Sequence, residues 1–306
     1  MKFHLAAVAV LLALVACTSG GSDQRISAEN FRQGGDGLRI AFTPNVPPDR
    51  LYDSEDFAVL LDIENLGAFD IGGPGDRIYL SGFDNRLITG LPSQGVQIPQ
   101  LEGKNQFNPQ GARSTVSFKG RIGRITGDVI PQPIQATACY RYRTEATANV
   151  CIDPDPYSTG VRPVSCTPSS PGLGTQAAPI AVSAIAVEPR PGKTGFRVTV
   201  SNVGGGSVFR NGPDTLGKCN PQDRIDYNDI DYVEITDVTV GGSSIRPSCT
   251  PLDRGHVRLT SGSGQLYCEF VATGRATFTT PITVTLTYGY RQTIQRALSI
   301  ISTENR

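Results

Sequence analysis

The chain has 306 residues, with 28 Lys and Arg against 28 Asp and Glu, so no net charge draws it toward nucleic acid or an anionic surface. Glycine (34) and proline (22) are plentiful, Trp is absent and Met occurs once, a balance that favours short strands joined by tight turns, an all-β protein, over helices. Of the two histidines only His256 lies beyond the first few residues, which excludes His-rich metal sites and leaves one imidazole for any Ser-His or Cys-His catalyst.

In chain order, Lys2 and His4 open a short basic start and Leu5 to Ala16 is an unbroken apolar run. It is too short for a membrane-spanning helix, which needs about 20 apolar residues, and has the make-up of a secretory signal. It ends Leu14-Val15-Ala16-Cys17, which resembles the lipobox of prokaryotic lipoproteins. In that family a diacylglycerol alkylates the cysteine and the chain is cut just before it. The resemblance implies a signal peptide over 1–16, a lipid on Cys17, and a membrane-anchored, extracytoplasmic location at the cell surface or periplasmic face. Residues 17–37 are polar and glycine-rich and read as a flexible tether.

Period-two alternation then marks strands. A first unit, residues 38–153, holds candidates at 38–43, 57–65, 77–81, 114–121, 134–143 and 149–152. Residues 154–179 are rich in Pro, Ser and Gly and read as a linker. A second unit, 180–302, holds candidates at 180–188, 195–202, 232–240, 256–260, 265–272, 282–290 and 295–301.

The two units share a pattern. Val59, Leu61 and Ile63, followed by Asn65 and Gly67, recur as Phe196, Val198 and Val200, followed by Asn202 and Gly204, at a constant offset of 137. Pro133 through Arg143 matches Pro281 through Arg291, including Tyr140-Arg141-Tyr142 against Tyr288-Gly289-Tyr290, at an offset of 148. The larger offset predicts an insertion in the second copy, with the loop around Cys219 as its natural place. The glycine of each Asn-x-Gly suits a turn with left-handed backbone. The alternating strand with its Asn-x-Gly, Ile63 to Gly67 and Val200 to Gly204, is similar to CARDB-type and related immunoglobulin-like domains of prokaryotic surface proteins. That resemblance implies tandem immunoglobulin-like antiparallel β-sandwiches in an adhesive setting, and it brings no catalytic residues.

Setting Cys17 aside leaves Cys139, Cys151, Cys166, Cys219, Cys249 and Cys268. Six cysteines in an exported chain read as three disulfides. Cys139 with Cys151 is the favoured pair, as partners across a hairpin centred on Glu145; Cys249 with Cys268 and Cys166 with Cys219 complete one of several possible sets. Their spacing contains no C-x₂₋₄-C pair of the zinc type.

Sites for chemistry are few. Gly72 to Asp76 and Gly204 to Gly206 lie among strands rather than before a helix, so they read as turns and not phosphate cradles. Asp223, Asp226, Asn228, Asp229 and Asp231 form an oxygen-rich run, a weak calcium candidate that lacks EF-hand spacing. No catalytic constellation and no cofactor are expected. The expected function is a lipid-anchored, non-catalytic binding or adhesion protein whose partners are the membrane, through Cys17, and a protein or surface polymer. The alternative is a structural subunit of a surface layer, filament or envelope assembly.

Overall fold

A computed structural model describes residues 31–304; the signal segment 1–16, Cys17 and most of the tether lie outside the described residues. The strands of the first half are β1 (Leu38–Phe42), β2 (Arg50–Tyr52), β3 (Asp56–Asn65), β4 (Arg77–Ser81), β5 (Ile88–Thr89), β6 (Val96–Gln97), β7 (Arg113–Ile122) and β8 (Val129–Ile152). The second half has β9 (Ile180–Arg190), β10 (Lys193–Asn202), β11 (Ser207–Phe209), a short helix α1 (Pro213–Gly217), β12 (Tyr232–Val240), β13 (Ser243–Ser244), a 3₁₀ turn at Arg246–Ser248, β14 (His256–Arg258), β15 (Ser263–Val271) and β16 (Phe278–Ile301).

The chain is all-β, as its composition implied, and its sheets form three groups. β1-β3-β7-β5 make a four-stranded sheet and β15-β10-β9 a three-stranded one. A nine-stranded sheet runs β13-β12-β16-β8-β4-β6, with β2 and β11 added on β16 and β14 on β12. Alternation does the work expected of it: Phe57, Val59, Leu61 and Ile63 of β3 are buried, as are Phe196, Val198 and Val200 of β10. One apolar cluster draws on all three sheets.

The feature that organises the molecule is the pairing of β8 with β16. Both strands are 24 residues long, and they pair antiparallel from Val129–Ile301 through Arg141–Gly289 to Ile152–Phe278. At about 3.3 Å per residue the ribbon is roughly 80 Å long. Its first-half end meets β4 and β2, and its second-half end meets β12. Each long strand therefore serves both halves, which share one sheet. The expected breaks within 134–152 and 282–301 are absent. Every even-numbered residue of β8 from Ile134 to Ile152 is buried, so one face stays inside from Ile134 to the end of the strand.

The repeat is visible in space as a local two-fold through the Arg141–Gly289 pair. Tyr140 lies opposite Tyr290 and Tyr142 opposite Tyr288, and the four buried rings contact one another at 5.9–6.3 Å between centroids. Their hydroxyls bind matching positions. Leu38 N donates to Tyr140 Oη (3.2 Å) as Ile180 N does to Tyr288 Oη (3.3 Å). Phe69 N donates to Tyr142 Oη (3.2 Å) as Gly206 N does to Tyr290 Oη (2.7 Å). Burial raises the pKa of all four phenols.

The Asn-x-Gly expectation needs one correction. Asn65 Nδ2 donates to Phe69 O (2.8 Å) and Asn202 Nδ2 to Gly206 O (2.9 Å), so both asparagines do brace a turn. Neither Gly67 nor Gly204 is among the residues with positive φ. They are required for close approach instead: a Cβ on Gly67 would lie 1.6 Å from Tyr142 Oη, and one on Gly204 2.5 Å from Tyr290 Oη.

The disulfides are Cys139–Cys219, Cys151–Cys166 and Cys249–Cys268. The last is the pair expected. The favoured Cys139–Cys151 bridge is not formed, because both residues sit on β8 and an extended strand holds them about 40 Å apart. The companion pairing of Cys166 with Cys219 falls with it. Cys219 belongs to the insertion, which lies between β10 and β12 as residues 203–231, where the first copy has only 66–76 between β3 and β4. The insertion folds over the outer face of the ribbon: β11 pairs with Gly289–Arg291, and Phe209, Leu216, Cys219 and Ile225 bury a small cluster with Tyr79 and Cys139.

Candidate binding cleft

The segment expected to be a linker carries no strand, and it doubles back along β8 rather than spanning two separate bodies. Cys166 is bonded to Cys151 at the end of the strand. Arg162 pairs with Asp153, and Ser165 N donates to Thr277 Oγ1 (2.7 Å). Farther along, Val182 N donates to Gln176 Oε1 (3.0 Å), and Ala177 O accepts from Tyr142 Oη (3.3 Å). Residues 162–177 thus form a strap that runs from the end of β8 back to its middle.

Between strap and strand lies a cleft of about 930 Å³. Glu145 and Thr147 of β8 form its floor, Leu173 to Gln176 one wall, and Phe31 to Gln33 with the 105–107 loop the rest. Gly34 N donates to Thr175 Oγ1 (3.0 Å), which fixes the entering chain to the strap. Asn105 Oδ1 accepts from Phe107 N (2.8 Å) and Asn108 N (2.9 Å), an Asx turn that holds the loop. It presents the ring of Phe107, 87% exposed. A smaller extension of about 150 Å³ continues toward Phe69 and Arg143. Glu145 lies between two cations, Arg32 Nη1 at 3.6 Å and Arg143 Nη2 at 3.4 Å. All three side chains are solvent-accessible, so these pairs add little stability and stay available to a ligand.

The residues singled out from sequence lie elsewhere. Asp223, Asp226, Asn228, Asp229 and Asp231 occupy the insertion and do not converge. Asp226 Oδ1 accepts from Asn228 N (2.8 Å), Asp229 lies 3.5 Å from Arg210 Nε, and Asp231 N donates to Val208 O (2.9 Å). Among the described residues no group of three His, Cys, Asp or Glu is placed to hold a metal ion. Arg210 is the hub of this region: it also pairs with Asp253 and covers the Tyr232 ring at 3.8 Å. His256 sits on β14 with Nδ1 2.9 Å from Arg254 O, and burial lowers its pKa. Gly72 to Asp76 is a turn closed by its own aspartate, whose buried carboxylate accepts from Gly72 N (3.0 Å), Gly73 N (2.9 Å) and Arg141 N (3.0 Å).

No family model and no curated protein matches this chain. Among the described residues no helix is long and apolar enough to cross a membrane. The cleft itself was hidden from sequence reasoning. Its floor is the stretch Arg143-Thr144-Glu145-Ala146-Thr147, and its walls come from segments far apart in the chain.

Proposed function

We propose that this protein is a lipid-anchored, extracytoplasmic binding or adhesion protein without catalytic activity. The observation that carries the reading is the cysteine inventory: six of seven cysteines are bonded in three bridges, leaving only Cys17, which closes the Leu14-Val15-Ala16-Cys17 motif. Disulfides persist in oxidising compartments, and two acyl chains on one cysteine hold a protein stably at a bilayer. Thirteen residues separate Cys17 from the cleft wall at Phe31, a reach of at most about 50 Å. The body presented there is braced along one ribbon and by Cys139–Cys219, which suits a receptor exposed to an unprotected environment. The test is metabolic labelling with a radioactive fatty acid. Wild type should carry label and sediment with membranes; Cys17→Ser should lose both. An unlabelled wild type would end the proposal.

A second reading, a structural subunit of a surface layer, filament or envelope assembly, draws on one feature. β9 is an edge strand, and Ala184 to Glu188 have no partner on its outer side among the described residues. Exposed edges of this kind pair between copies. A delipidated protein that stays monomeric in size-exclusion chromatography at high concentration would count against it.

A further inference from the structure

We propose that the cleft is a strand-addition site, in which the free edge of β8 from Arg143 to Thr147 receives an extended peptide segment of a partner protein. This deepens the binding function proposed above and rests on it.

The direction of the backbone groups makes the case. Arg141 N donates to Asp76 Oδ1 (3.0 Å), on the side away from β16. In an antiparallel ladder the N–H and C=O of one residue point to the same side, and the sides alternate along the strand. Arg143, Glu145 and Thr147 therefore also turn their backbone groups away from β16. β4 covers that side only at Gln135–Cys139, and no strand among the described residues pairs with it at 143–147. The side chains of the same three residues line the cleft and its extension. Backbone edge and cavity coincide.

Two other edges are closed, although that of β9 is not. Thr250 and Tyr267 exchange backbone bonds (2.8 and 2.7 Å) beside the Cys249–Cys268 bridge, which shuts the outer side of β15. Near the C-terminal end of β16, Asp49 O accepts from Ser299 N (2.9 Å), the parallel strand β2 pairs with Ser299–Ile301, and Arg296 pairs with Asp49 (2.8 Å). At Arg143–Thr147 the edge of β8 is faced instead by the cleft.

The cleft also specifies the side chains of its occupant. Residues directly opposite on paired strands interact, and opposite charges are favoured. An antiparallel segment running past Thr147, Glu145 and Arg143 would place an apolar residue toward Leu173 and Phe107, then a basic residue opposite Glu145, then an acidic one opposite Arg143. Arg32 now supplies the cation beside Glu145, and its exposed pair is cheap to exchange. A second polypeptide backbone is the ligand that matches alternating donors and acceptors at strand spacing.

The test uses the full chain in detergent and a fluorescent peptide, Thr-Val-Thr-Lys-Thr-Asp-Thr, read by anisotropy. Three comparisons accompany it: the same peptide N-methylated at alternate amides, the peptide with Lys and Asp exchanged, and the Glu145→Lys protein. The expected results are saturable binding, a loss of about tenfold or more on N-methylation, and a reversed preference between the two charge patterns in Glu145→Lys. Equal binding of the N-methylated peptide, an unchanged charge preference in Glu145→Lys, or no binding of any peptide would overturn the proposal. So would displacement of the probe by a neutral hexasaccharide but not by unlabelled peptide, which would assign the cleft to a glycan. Each of these failures leaves the fatty-acid label on Cys17 unaffected, so the anchor and the cleft are judged separately.

Discussion

Replacing Cys139 and Cys219 together by alanine should cost about 4–5 kcal/mol of stability. The bridge spans 80 residues, and restricting an unfolded loop of that length is worth roughly 4.5 kcal/mol, against roughly 3 kcal/mol for the 15- and 19-residue separations of the other two. Both sulfurs are fully buried, so alanine avoids placing a new polar atom inside. The bridge is also the covalent link between β8 and the insertion, whose Phe209, Leu216 and Ile225 cover Tyr79, so its loss should loosen that cover. Guanidinium unfolding followed by circular dichroism, with the Cys151→Ala/Cys166→Ala protein alongside, measures the difference. A smaller cost for removing the 80-residue bridge than for removing the 15-residue one would contradict this ordering.

Gly67→Ala should destabilise by about 2 kcal/mol or more through overpacking against Tyr142 and Ala177 O, whereas Gly205→Ala, with nothing within 4 Å of its new Cβ, should stay within about 0.5 kcal/mol; thermal melts separate the two. Gly289→Ala drives a methyl into the Phe209 ring, 2.1 Å from Cε2, so adding Phe209→Leu should recover part of the loss, and a double-mutant cycle with no coupling would contradict that packing. The phenols of Tyr140, Tyr142, Tyr288 and Tyr290 have raised pKa values in the folded state. Stability should therefore be retained below about pH 10, the unfolded phenol value, and fall as pH rises above it; ultraviolet titration should show these four ionising only as the circular dichroism collapses. Asp53 behaves oppositely. Hydrogen bonds from Thr303 Oγ1 (2.7 Å), Thr303 N (2.9 Å) and Ile125 N (3.2 Å) lower its pKa, so its contribution is present above about pH 4 and lost as pH falls through the depressed value. Asp53→Asn should flatten the acid limb of a stability-against-pH curve.

The strands of the two small sheets were legible because their inner faces carry large residues in strict alternation, Val59-Leu61-Ile63 and Phe196-Val198-Val200. The repeat was legible for the same reason, and its tyrosines prove to be the centre of the molecule. The continuity of β8 was not. Its inner face from 144 to 148 is Thr, Ala, Ala, all buried but too small or polar to sound like a core, while Arg143 and Glu145 on the outer face mimic a turn. The same happens in β16 around Gln292 to Gln295. A hairpin at Glu145 would pair Cys139 with Cys151, whereas the bridge that forms, Cys139–Cys219, depends on where a distant insertion folds. The cleft was invisible for a related reason: its floor is that same quiet stretch of strand, and its walls are assembled only when the strap turns back.

Peptide mapping under non-reducing conditions, on protein recovered from membranes, reads the lipid anchor and the disulfide pairing together. The expected result is an N-terminal peptide that begins at Cys17 and carries a diacylglycerol, together with a cross-linked peptide joining Cys139 to Cys219. An unmodified N-terminus, or a peptide joining Cys139 to Cys151, would contradict it.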